Sequence, residues 1–372
     1  MRVLHLIARL NVGGTARYIT RLAEELPSRG IETFIASGFV QGSEVEDPSA
    51  EEVDLLRIPS LGRAIDPRKD FQARKEYLAL VDHLKPDVVH THTFKAGAIG
   101  RTNINQIKKA AGKDVRFVHT FHGHLFDDPE FSGLKSSAIS ILERRLAQST
   151  DRLVTVGRKV GEDLIRRGIG QADQYASIAP GVNPLVITAR DQAFANLTLH
   201  DDNRLVVGWI ARVTGVKNPM RALEVARALP AVHFVMAGGG DLLEQIKASA
   251  PENVSVLGWS EAQDLFGLVD VVLSTSENEG MPIALIEAQM AGKPVVATDV
   301  GSVSEVVLNG ETGFVTSKST SELVQALEKL VSDSEMRGEF AAAATQHSRR
   351  HFSVATMIDE HVKLYESLEN LN

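Results

Sequence analysis

In the segment SENEGMPIALIE, residues 276–287, the type and spacing of two glutamates, Glu279 and Glu287, could bind a ligand rich in hydroxyl groups. The preceding run DVVLSTS is typical of a buried strand, and the following ALIEAQMAG is typical of a helix that ends at Gly292. Glu279 therefore lies between the strand and the helix, and Glu287 lies on the helix. The carboxyl end of a buried strand is a usual place for a ligand in α/β proteins.

The start of this predicted helix offers backbone N–H groups to an anion. Pro282 suits the first helical position, where its missing N–H costs nothing. The amides near Gly280, Met281 and Ile283 would then lack partners within the helix and could bind a negatively charged group.

The two glutamates have different expected roles. Glu287 follows Pro282 by about a turn and a half, which is too far along the helix for a phosphate. Its carboxylate can instead accept two hydrogen bonds from a vicinal diol such as a ribose. Glu279 precedes the helix and suits the hydroxyl groups of a sugar. Taken alone, each glutamate is more often a surface charge or a helix cap, and the cations described next change that weighting.

Two cations, Arg212 and Lys217, lie five residues apart in GWIARVTGVKNP, where another predicted strand ends. Two positive charges beside a helix start suit a diphosphate leaving group, whereas either residue alone would be taken for a solvated surface charge. A later strand ends in VLGWSEAQD, where the backbone around Trp259 and Ser260 could face the edge of a nucleobase.

A glycine pair, Gly13 and Gly14, follows the first predicted strand in NVGGTARY. Paired glycines let a ligand approach the backbone, and the helix start that follows attracts anions. The spacing is not G-x-G-x-x-G, so the dinucleotide fingerprint is absent. A simple tight turn is the alternative interpretation.

Histidines concentrate at two predicted strand ends, in VVHTHT and FVHTFHGH; they are His90, His92, His119, His122 and His124. Such a cluster could bind zinc, and a metal-dependent hydrolase that uses His90, His92 and His122 is an alternative function. The cluster lacks a carboxylate at a suitable spacing, and the chain has no Asp-x-Asp pair. We therefore expect no bound metal and favour a single histidine as a polar or acid–base group in a cleft, with the others satisfied structurally.

Strand-like and helix-like segments alternate almost to the end of the chain, which predicts parallel sheets covered by helices on both faces. A length of 372 residues exceeds what one core usually supports. We expect an α/β protein of two doubly wound domains, residues 1–188 and 204–352, joined by a polar linker at 189–203. A final helix is predicted within residues 353–372.

The composition excludes several classes of protein. No apolar run approaches the ~20 residues of a membrane span, and no signal-peptide pattern is visible. The chain has no cysteine, which fits a reducing cytoplasm. Residues 1–190 carry 27 basic and 23 acidic residues, and the remainder carries 13 and 25, so the first half could meet an anionic partner; random drift between two domains is the alternative interpretation. We do not expect that partner to be a nucleic acid.

One segment of the first half is crowded with basic residues: Arg57, Arg63, Arg68, Lys69, Arg74 and Lys75. Such a segment could lie against an anionic membrane surface. An ordinary solvated helix face is the alternative interpretation.

Taken in order, these motifs resemble the retaining glycosyltransferases of family 4, which have the GT-B architecture of two Rossmann-like domains facing across a cleft. The matching segments are RLNVGGTARY, TFHGH, the Arg212–Lys217 pair, Glu279 with Glu287, AGKPVVATDVGSVSEVV, ETGFV and the final helix that begins at FS. The resemblance covers nearly the whole chain. In such folds the final helix crosses back to the first domain.

The resemblance implies a role for each matching residue. Gly14 would approach the donor diphosphate, and Arg212 and Lys217 would neutralise it as it leaves. Glu287 would hold the nucleotide ribose, while Glu279 and the amides that follow it would hold the sugar.

The resemblance also implies an activity. His122 would lie beside the donor sugar and contact its hydroxyl groups, and the family generally needs neither a metal nor a cofactor. We expect retaining transfer from a nucleotide sugar, with UDP as the default, to a hydroxyl of a glycan, lipid-linked or small-molecule acceptor in cell-envelope, exopolysaccharide or glycolipid synthesis. The expected location is cytoplasmic, with peripheral contact to the inner membrane face as an option. A non-catalytic nucleotide-sugar-binding protein is the second alternative.

Overall fold

The structure, a computed structural model, describes residues 1–42, 44–123 and 134–369. The chain forms two compact units. The first unit comprises Met1–Gly181 together with Val354–Asn372, and the second comprises Val182–Ser353. The structure therefore ends the first domain at 181, where the sequence pattern predicted 188.

The first unit is built on a seven-stranded parallel sheet in the order β3-β2-β1-β4-β5-β6-β7. Its strands are β1 Arg2–Ile7, β2 Glu32–Ser37, β3 Leu55–Arg57, β4 Val88–His92, β5 Arg116–Phe121, β6 Arg152–Thr155 and β7 Tyr175–Ser177. Its helices, numbered along the chain, are α1 Gly14–Glu25, α2 Pro67–Leu84, α3 Thr93–Arg101, α4 Ile104–Ala111, α5 Leu134–Ala147, α6 Arg158–Arg166 and α15 Val354–Glu369.

The second unit is built on a six-stranded parallel sheet in the order β10-β9-β8-β11-β12-β13. Its strands are β8 Val206–Ile210, β9 His233–Ala237, β10 Val254–Gly258, β11 Val271–Ser274, β12 Val295–Thr298 and β13 Gly313–Thr316. Its helices are α7 Arg190–Asn196, α8 Pro219–Ala228, α9 Leu243–Ser249, α10 Ala262–Leu268, α11 Ile283–Met290, α12 Val303–Val306, α13 Thr320–Ser332 and α14 Ser334–His351.

The predicted alternation of strands and helices in two parallel sheets is confirmed, and the central strands are runs of Val, Ile and Leu that are buried on both faces. Every residue of β4 and β9 is buried, and so are five of the six residues of β1. The prediction that ALIEAQMAG forms a helix ending at Gly292 is also confirmed, since α11 ends at Met290 and Gly292 adopts a φ of 69°.

The predicted linker at 189–203 contains a helix of the second unit. Helix α7 packs against α10, and the N–H of Thr188 donates to the carbonyl of Gln263 at 3.2 Å. The polar composition of this segment predicts a linker, but one face of α7 buries Ala193 and Phe194, so the segment is part of the second unit.

The final helix, α15, belongs to the first unit, as the resemblance implies. It packs against α1, and the N–H of Gly181 lies 3.1 Å from Sδ of Met357. The hydroxyl of Tyr365 lies 2.7 Å from Nδ1 of His90 in β4. Helix α15 therefore supplies polar side chains to the histidine cluster of the first sheet.

Candidate functional site

Each sheet has one position where the strand order reverses, between β1 and β4 in the first unit and between β8 and β11 in the second. Ligands of doubly wound proteins bind beside the carboxyl ends of the strands at this position. The loops after β8 and β11 carry Arg212, Lys217 and Glu279, and the ends of β4 and β5 carry the histidines. The predicted residues therefore divide into two groups, one for each unit.

Helix α11 begins at Ile283, so Pro282 is its N-cap residue. The sequence predicted Pro282 as the first helical residue, which is wrong by one position. The carbonyl of Pro282 accepts the N–H of Leu285 at 3.0 Å. Within the part of the chain that the structure describes, the N–H groups of Gly280, Met281 and Ile283 donate no hydrogen bond. These amides and the positive end of the helix dipole can bind an anion.

Glu279 is held through one of its carboxylate oxygens. Oε1 accepts a hydrogen bond from Nζ of Lys217 at 2.6 Å and another from Oγ of Ser276 at 2.7 Å. The backbone is fixed as well, because a Cβ on Gly301, whose φ is 51°, would lie 1.6 Å from the carbonyl oxygen of Glu279. Among the described residues Oε2 of Glu279 has no hydrogen bond, so this oxygen can accept a ligand hydroxyl.

Arg212 is exposed, and its guanidinium makes no hydrogen bond or ion pair with any residue that the structure describes. Its loop is fixed by the backbone, since the N–H of Val213 donates to the carbonyl of Gly239 at 2.9 Å. Lys217 differs, because its ammonium group is already paired with Glu279. A fixed loop with an uncommitted cation suits an anionic ligand.

A charged network around Glu277 was missed by the sequence analysis. Its carboxylate accepts hydrogen bonds from Asn218 at 2.7 Å, Arg221 at 2.6 Å and Lys318 at 2.9 Å. Burial by itself would raise the pKa of Glu277, but the hydrogen bonds from Lys318, Asn218 and Arg221 outweigh it and lower the pKa to about 2. The network ties the β8–α8 loop to the β11–α11 loop. The Asn-Pro pair at the start of α8 was the available signal, since asparagine is a preferred N-cap residue.

The other predicted donor contacts in this unit lie on α11 and after β10. Glu287 is half-buried on α11. Trp259 is 70% exposed and its ring lies over Gly239, where a Cβ would be 2.1 Å from Nε1. Ser260 beside it is half-buried. The position predicted to face a nucleobase therefore carries an exposed aromatic ring. This ring lies next to Gly239, whose carbonyl also holds the loop of Arg212.

In the first unit, helix α1 begins at Gly14, and Gly13 is its N-cap residue with a φ of 148° that only glycine adopts readily. The N–H of Gly13 donates to Oδ2 of the buried Asp47 at 3.1 Å. This amide is therefore not free to bind an anion, and the predicted diphosphate contact is left to Gly14. Nothing in the sequence connects Asp47 with Gly13, since the two are 34 residues apart.

Three imidazoles form a continuous line in the first unit. Nε2 of His92 lies 2.9 Å from Nδ1 of His5, and Nδ1 of His92 lies 3.0 Å from Nε2 of His122. The ring of Tyr18 meets the ring of His122 edge-on, with 5.1 Å between the centroids. His5 was missed by the sequence analysis, while His124 lies outside the described residues.

Of the remaining described histidines at the two strand ends, His90 is bonded through both ring nitrogens, whereas His119 is bonded through Nδ1 and its buried Nε2 has no partner among the described residues. Nδ1 of His90 lies 2.7 Å from the hydroxyl of Tyr365, and its Nε2 lies 2.7 Å from Oγ1 of Thr120. Nδ1 of His119 lies 2.8 Å from Oγ1 of Thr91.

The histidine cluster is neutral at physiological pH. Burial, assisted by repulsion from His361, lowers the pKa of His5 and that of His122 to about 3. Burial also lowers the pKa of His90 and that of His92 far below their usual values. A group of uncharged imidazoles can exchange hydrogen bonds with sugar hydroxyls without binding a counter-ion.

A metal ion is the alternative that the sequence left open for this cluster. Among the described residues, nitrogens of His5, His90 and His92 lie within 4.8 Å of one another and could serve as ligands. Five of their six ring nitrogens are already hydrogen-bonded, the exception being Nε2 of His5. A metal would have to displace most of these contacts.

Comparison with known families gives two matches that together span most of the chain. A model described as "Glycosyl transferase 4-like domain" matches residues 13–181, and one described as "Glycosyl transferases group 1" matches residues 191–347.

Named relatives have similar descriptions. The chain is 27% identical to a D-inositol 3-phosphate glycosyltransferase of Stackebrandtia nassauensis, over 91% of this chain and 84% of the relative. It is also 27% identical to the UDP-Gal:alpha-D-GlcNAc-diphosphoundecaprenol alpha-1,3-galactosyltransferase of Escherichia coli, over 71% of each chain. These matches give no support to the hydrolase alternative.

Two solved structures have the same fold over the whole chain. Sucrose-phosphate synthase from Thermosynechococcus elongatus matches with a TM-score of 0.81 at 17% identity, covering 100% of both chains. Anabaena HepE in complex with UDP and glucose matches with a TM-score of 0.79 at 19% identity, also covering 100% of both chains.

Proposed function

The chain belongs to family 4 of the glycosyltransferases, within glycosyl transferases group 1, and we propose that it moves a sugar from a UDP-sugar to an acceptor hydroxyl with retention at the anomeric carbon. Its fold class is GT-B, with two Rossmann-like parallel-sheet domains. The observation that carries the proposal is the loop pair after β8 and β11. There an uncommitted Arg212, the Lys217–Glu279 pair and unpaired helix-start amides occur together in one unit.

The diphosphate of the donor is assigned to the cations and amides of this unit. Arg212 is exposed and has no partner among the described residues, so it can pair with a phosphate at no cost in lost ion pairs. The amides of Gly280, Met281 and Ile283 add hydrogen-bond donors. Preorganised donors of this kind stabilise charge that develops on a leaving group.

The sugar and the ribose are assigned to the acidic groups and to the histidine. The free Oε2 of Glu279 can accept a sugar hydroxyl while Oε1 stays bound to Lys217 and Ser276. Glu287 accepts the ribose diol, and the neutral His122 contacts a sugar oxygen. The exposed ring of Trp259 and the adjacent Ser260 lie next to the base.

In the proposed transfer, the bond between the anomeric carbon and the β-phosphate oxygen breaks, and its electron pair leaves with UDP. The acceptor oxygen then bonds to the anomeric carbon from the same face, and its proton passes to the departing phosphate. Glu279 is not assigned as a nucleophile, because its carboxylate is held by an ammonium group and a hydroxyl that reduce its reactivity. The protein cations take the place of a metal ion, so we propose that neither a metal nor a cofactor is required.

The acceptor is proposed to be a hydroxyl on a lipid-linked or phosphorylated molecule, by analogy with the two relatives named above. The start of α2 supports a contact with an anionic membrane surface. Arg68 and Lys69 are exposed there, beside Ile65 at 71% and Phe71 at 63% exposure. Arg57 is instead committed to Glu46 through two hydrogen bonds of 2.8 Å.

No described helix is both long and apolar enough to cross a bilayer. Sedimentation with vesicles of neutral or anionic lipid tests the membrane proposal. Binding that depends on anionic lipid and is lost in Arg68→Ala/Lys69→Ala supports it, and equal recovery with both vesicle types removes it.

Donor binding is tested by thermal shift with UDP, GDP and ADP and with the corresponding glucose nucleotides. We expect UDP and UDP-glucose to raise the melting temperature, and Arg212→Ala to reduce that shift. A larger shift with GDP or ADP would overturn the choice of UDP. An unchanged shift in Arg212→Ala would remove the diphosphate assignment.

Transfer and hydrolysis of UDP-glucose distinguish an enzyme from a non-catalytic binder. We expect slow release of UDP without acceptor and faster release with an inositol phosphate or a lipid-linked saccharide. EDTA treatment is expected to leave the rate unchanged. Binding of UDP-glucose with no release of UDP under any of these conditions would favour the alternative of a non-catalytic nucleotide-sugar-binding protein.

A further inference from the structure

The imidazoles of His5, His92 and His122 are joined end to end through their ring nitrogens. The two contacts are 2.9 Å and 3.0 Å, and both nitrogens of His92 are used. The rings of His5 and His92 are also stacked, with 5.2 Å between centroids. His5 and His92 are completely buried.

A neutral imidazole has one N–H donor and one lone-pair acceptor. Each contact in the line needs one of each, so all three protons must point in the same direction. In the outward arrangement, His5 donates to His92, His92 donates to His122, and His122 carries its own proton on Nδ1. In the inward arrangement, every proton is on Nε2, and Nδ1 of His122 is an acceptor.

The buried end of the line decides between these arrangements. Nε2 of His5 is buried and has no hydrogen-bond partner among the residues that the structure describes. The inward arrangement would leave an unpaired N–H at this position, whereas the outward arrangement leaves only a lone pair. Buried donors without a partner are rarer than under-satisfied acceptors. The outward arrangement is therefore favoured.

We propose that His92, oriented by His5, is a positioning residue that fixes His122 in the Nδ1–H tautomer, so that His122 meets its ligand as a hydrogen-bond donor. Among the described residues Nδ1 of His122 has no partner. Its ligand is an oxygen that can accept a hydrogen bond. The assignment of that oxygen to the donor sugar rests on the proposed function, but the tautomer itself does not.

The line does not conduct protons to solvent, because it ends inside the core at Nε2 of His5. His90 is not part of it, although its ring stacks on His92 with 4.3 Å between centroids. Both nitrogens of His90 are held by Tyr365 and Thr120. The line therefore fixes an orientation for His122 and leaves the other imidazoles independent.

The tautomers can be measured directly in the ligand-free protein. Long-range proton–nitrogen correlation spectra of protein labelled with ¹⁵N-histidine show which ring nitrogen carries the proton. We expect His5, His92 and His122 all to be protonated on Nδ1. A proton on Nε2 of His122 would overturn the inference whatever the enzymatic activity.

Two substitutions of His92 separate positioning from packing. His92→Phe keeps a ring but removes the donor, so we expect the Nε2–H tautomer of His122 to appear. His92→Asn places an amide N–H near the former Nδ1, so we expect it to restore the Nδ1–H signal. His119→Asn is the matched control, because His119 is equally buried in the same sheet but lies outside the line. An unchanged His122 tautomer in His92→Phe would contradict the proposed role of His92.

Kinetics with UDP-glucose then test the functional consequence. We expect kcat/KM to fall about tenfold in His92→Phe, the usual effect of one lost hydrogen bond, and to recover in His92→Asn. If kcat/KM falls in both variants although His92→Asn restores the Nδ1–H signal of His122, the tautomer of His122 does not control catalysis. That result would remove the role of His122 as a hydrogen-bond donor to the substrate. If the spectra fit but no form of the protein releases UDP, the proposed function fails and the tautomer assignment remains. If His92→Phe does not fold, the spectra of the unmodified protein alone decide the direction of the line.

Discussion

The strand order reverses between β1 and β4 in the first sheet and between β8 and β11 in the second. The two positions have the same topology, but the polar residues are neutral in the first unit and charged in the second. Between β1 and β4, the first unit collects imidazoles whose charge is suppressed by burial. Between β8 and β11, the second unit collects full charges in short ion pairs, together with Arg212, which has no partner in the described part of the chain. One parallel-sheet edge can thus be made neutral or charged, according to whether its polar residues are buried in the core or placed on loops.

This difference matches the two chemical parts of the proposed donor. Hydroxyl groups are recognised by neutral donors and acceptors, and a leaving diphosphate needs positive charge. A buried charge without a partner would be costly in the first unit, so its histidines stay neutral. The loops of the second unit are more open, and their charges are balanced by partners or solvent.

The largest expected difference between the two units is in how their stability depends on acid pH. The folded-state pKa is about 3 for His5 and about 4 for His361, both below the unfolded value of about 6.5. The folded first unit therefore binds fewer protons, and its stability falls as the pH drops from 6.5 towards 4, by up to about 1.4 kcal/mol per pH unit for each imidazole. In the second unit burial lowers the pKa of two described histidines, His233 and His347, against six in the first unit, and the loss from Glu277, with a pKa of about 2, begins only below about pH 4.5.

Both tryptophans, Trp209 and Trp259, lie in the second unit, so their fluorescence reports on that unit alone. Hydrogen exchange of peptides that cover β4 and β5 reports on the first unit. We expect exchange protection to be lost at a higher pH than the fluorescence change. If both signals changed at the same pH, or if the fluorescence changed at the higher pH, the first unit would not be the more acid-sensitive one.

Removal of the unpaired cation is expected to give the next largest effect. Arg212→Ala should lower kcat with a UDP-sugar by about 10²–10³-fold, the usual cost of losing a preorganised contact to developing charge. The melting temperature of the ligand-free protein should not change, because Arg212 has no partner among the described residues. Arg349→Ala, at an exposed position of the same unit, is the control. A matching loss in the control would show that the effect is not specific to the site.

The Lys217–Glu279 pair should affect both stability and turnover. Lys217→Met leaves a carboxylate that is only 10% exposed without its cation, which should lower the free energy of unfolding by about 2 kcal/mol. The double variant Lys217→Met/Glu279→Gln should recover most of this stability but no activity. Chemical denaturation and UDP-release assays measure the two effects. If activity returned together with stability, neither residue would have a role beyond folding.

The outer part of the charged network should matter least. Lys318 and Glu277 are 47% and 36% exposed, so Lys318→Ala should lower the free energy of unfolding by no more than about 1 kcal/mol. Arg221→Ala should cost more, because Arg221 is 14% exposed and also donates to the carbonyl of Thr275 at 3.0 Å. Equal losses in the two variants, measured by chemical denaturation, would show that burial does not control these pairs.

The alternation of elements could be predicted from the sequence because it depends on local patterns. Short apolar runs marked the central strands such as β4, β8 and β11, and Gly292 marked the end of α11. The cations and glutamates of the second unit were found because they directly follow such strands. The exact start of α11 was missed by one residue, since Pro282 suits both the N-cap and the first helical position.

Local sequence patterns predict the strands, most of the helices and the residue types at the strand ends, because hydrophobic periodicity and turn chemistry are local properties; helix α7, in a polar segment, is the exception. Tertiary structure alone decided which of those residues meet. The line from His5 to His92 depends on β1 pairing with β4, 87 residues along the chain, and Glu279 meets Lys217 across 62 residues. Such contacts depend on strand order and on burial, and burial also sets the charge state of each histidine. Neither the strand order nor the burial can be deduced from residue spacing along the chain.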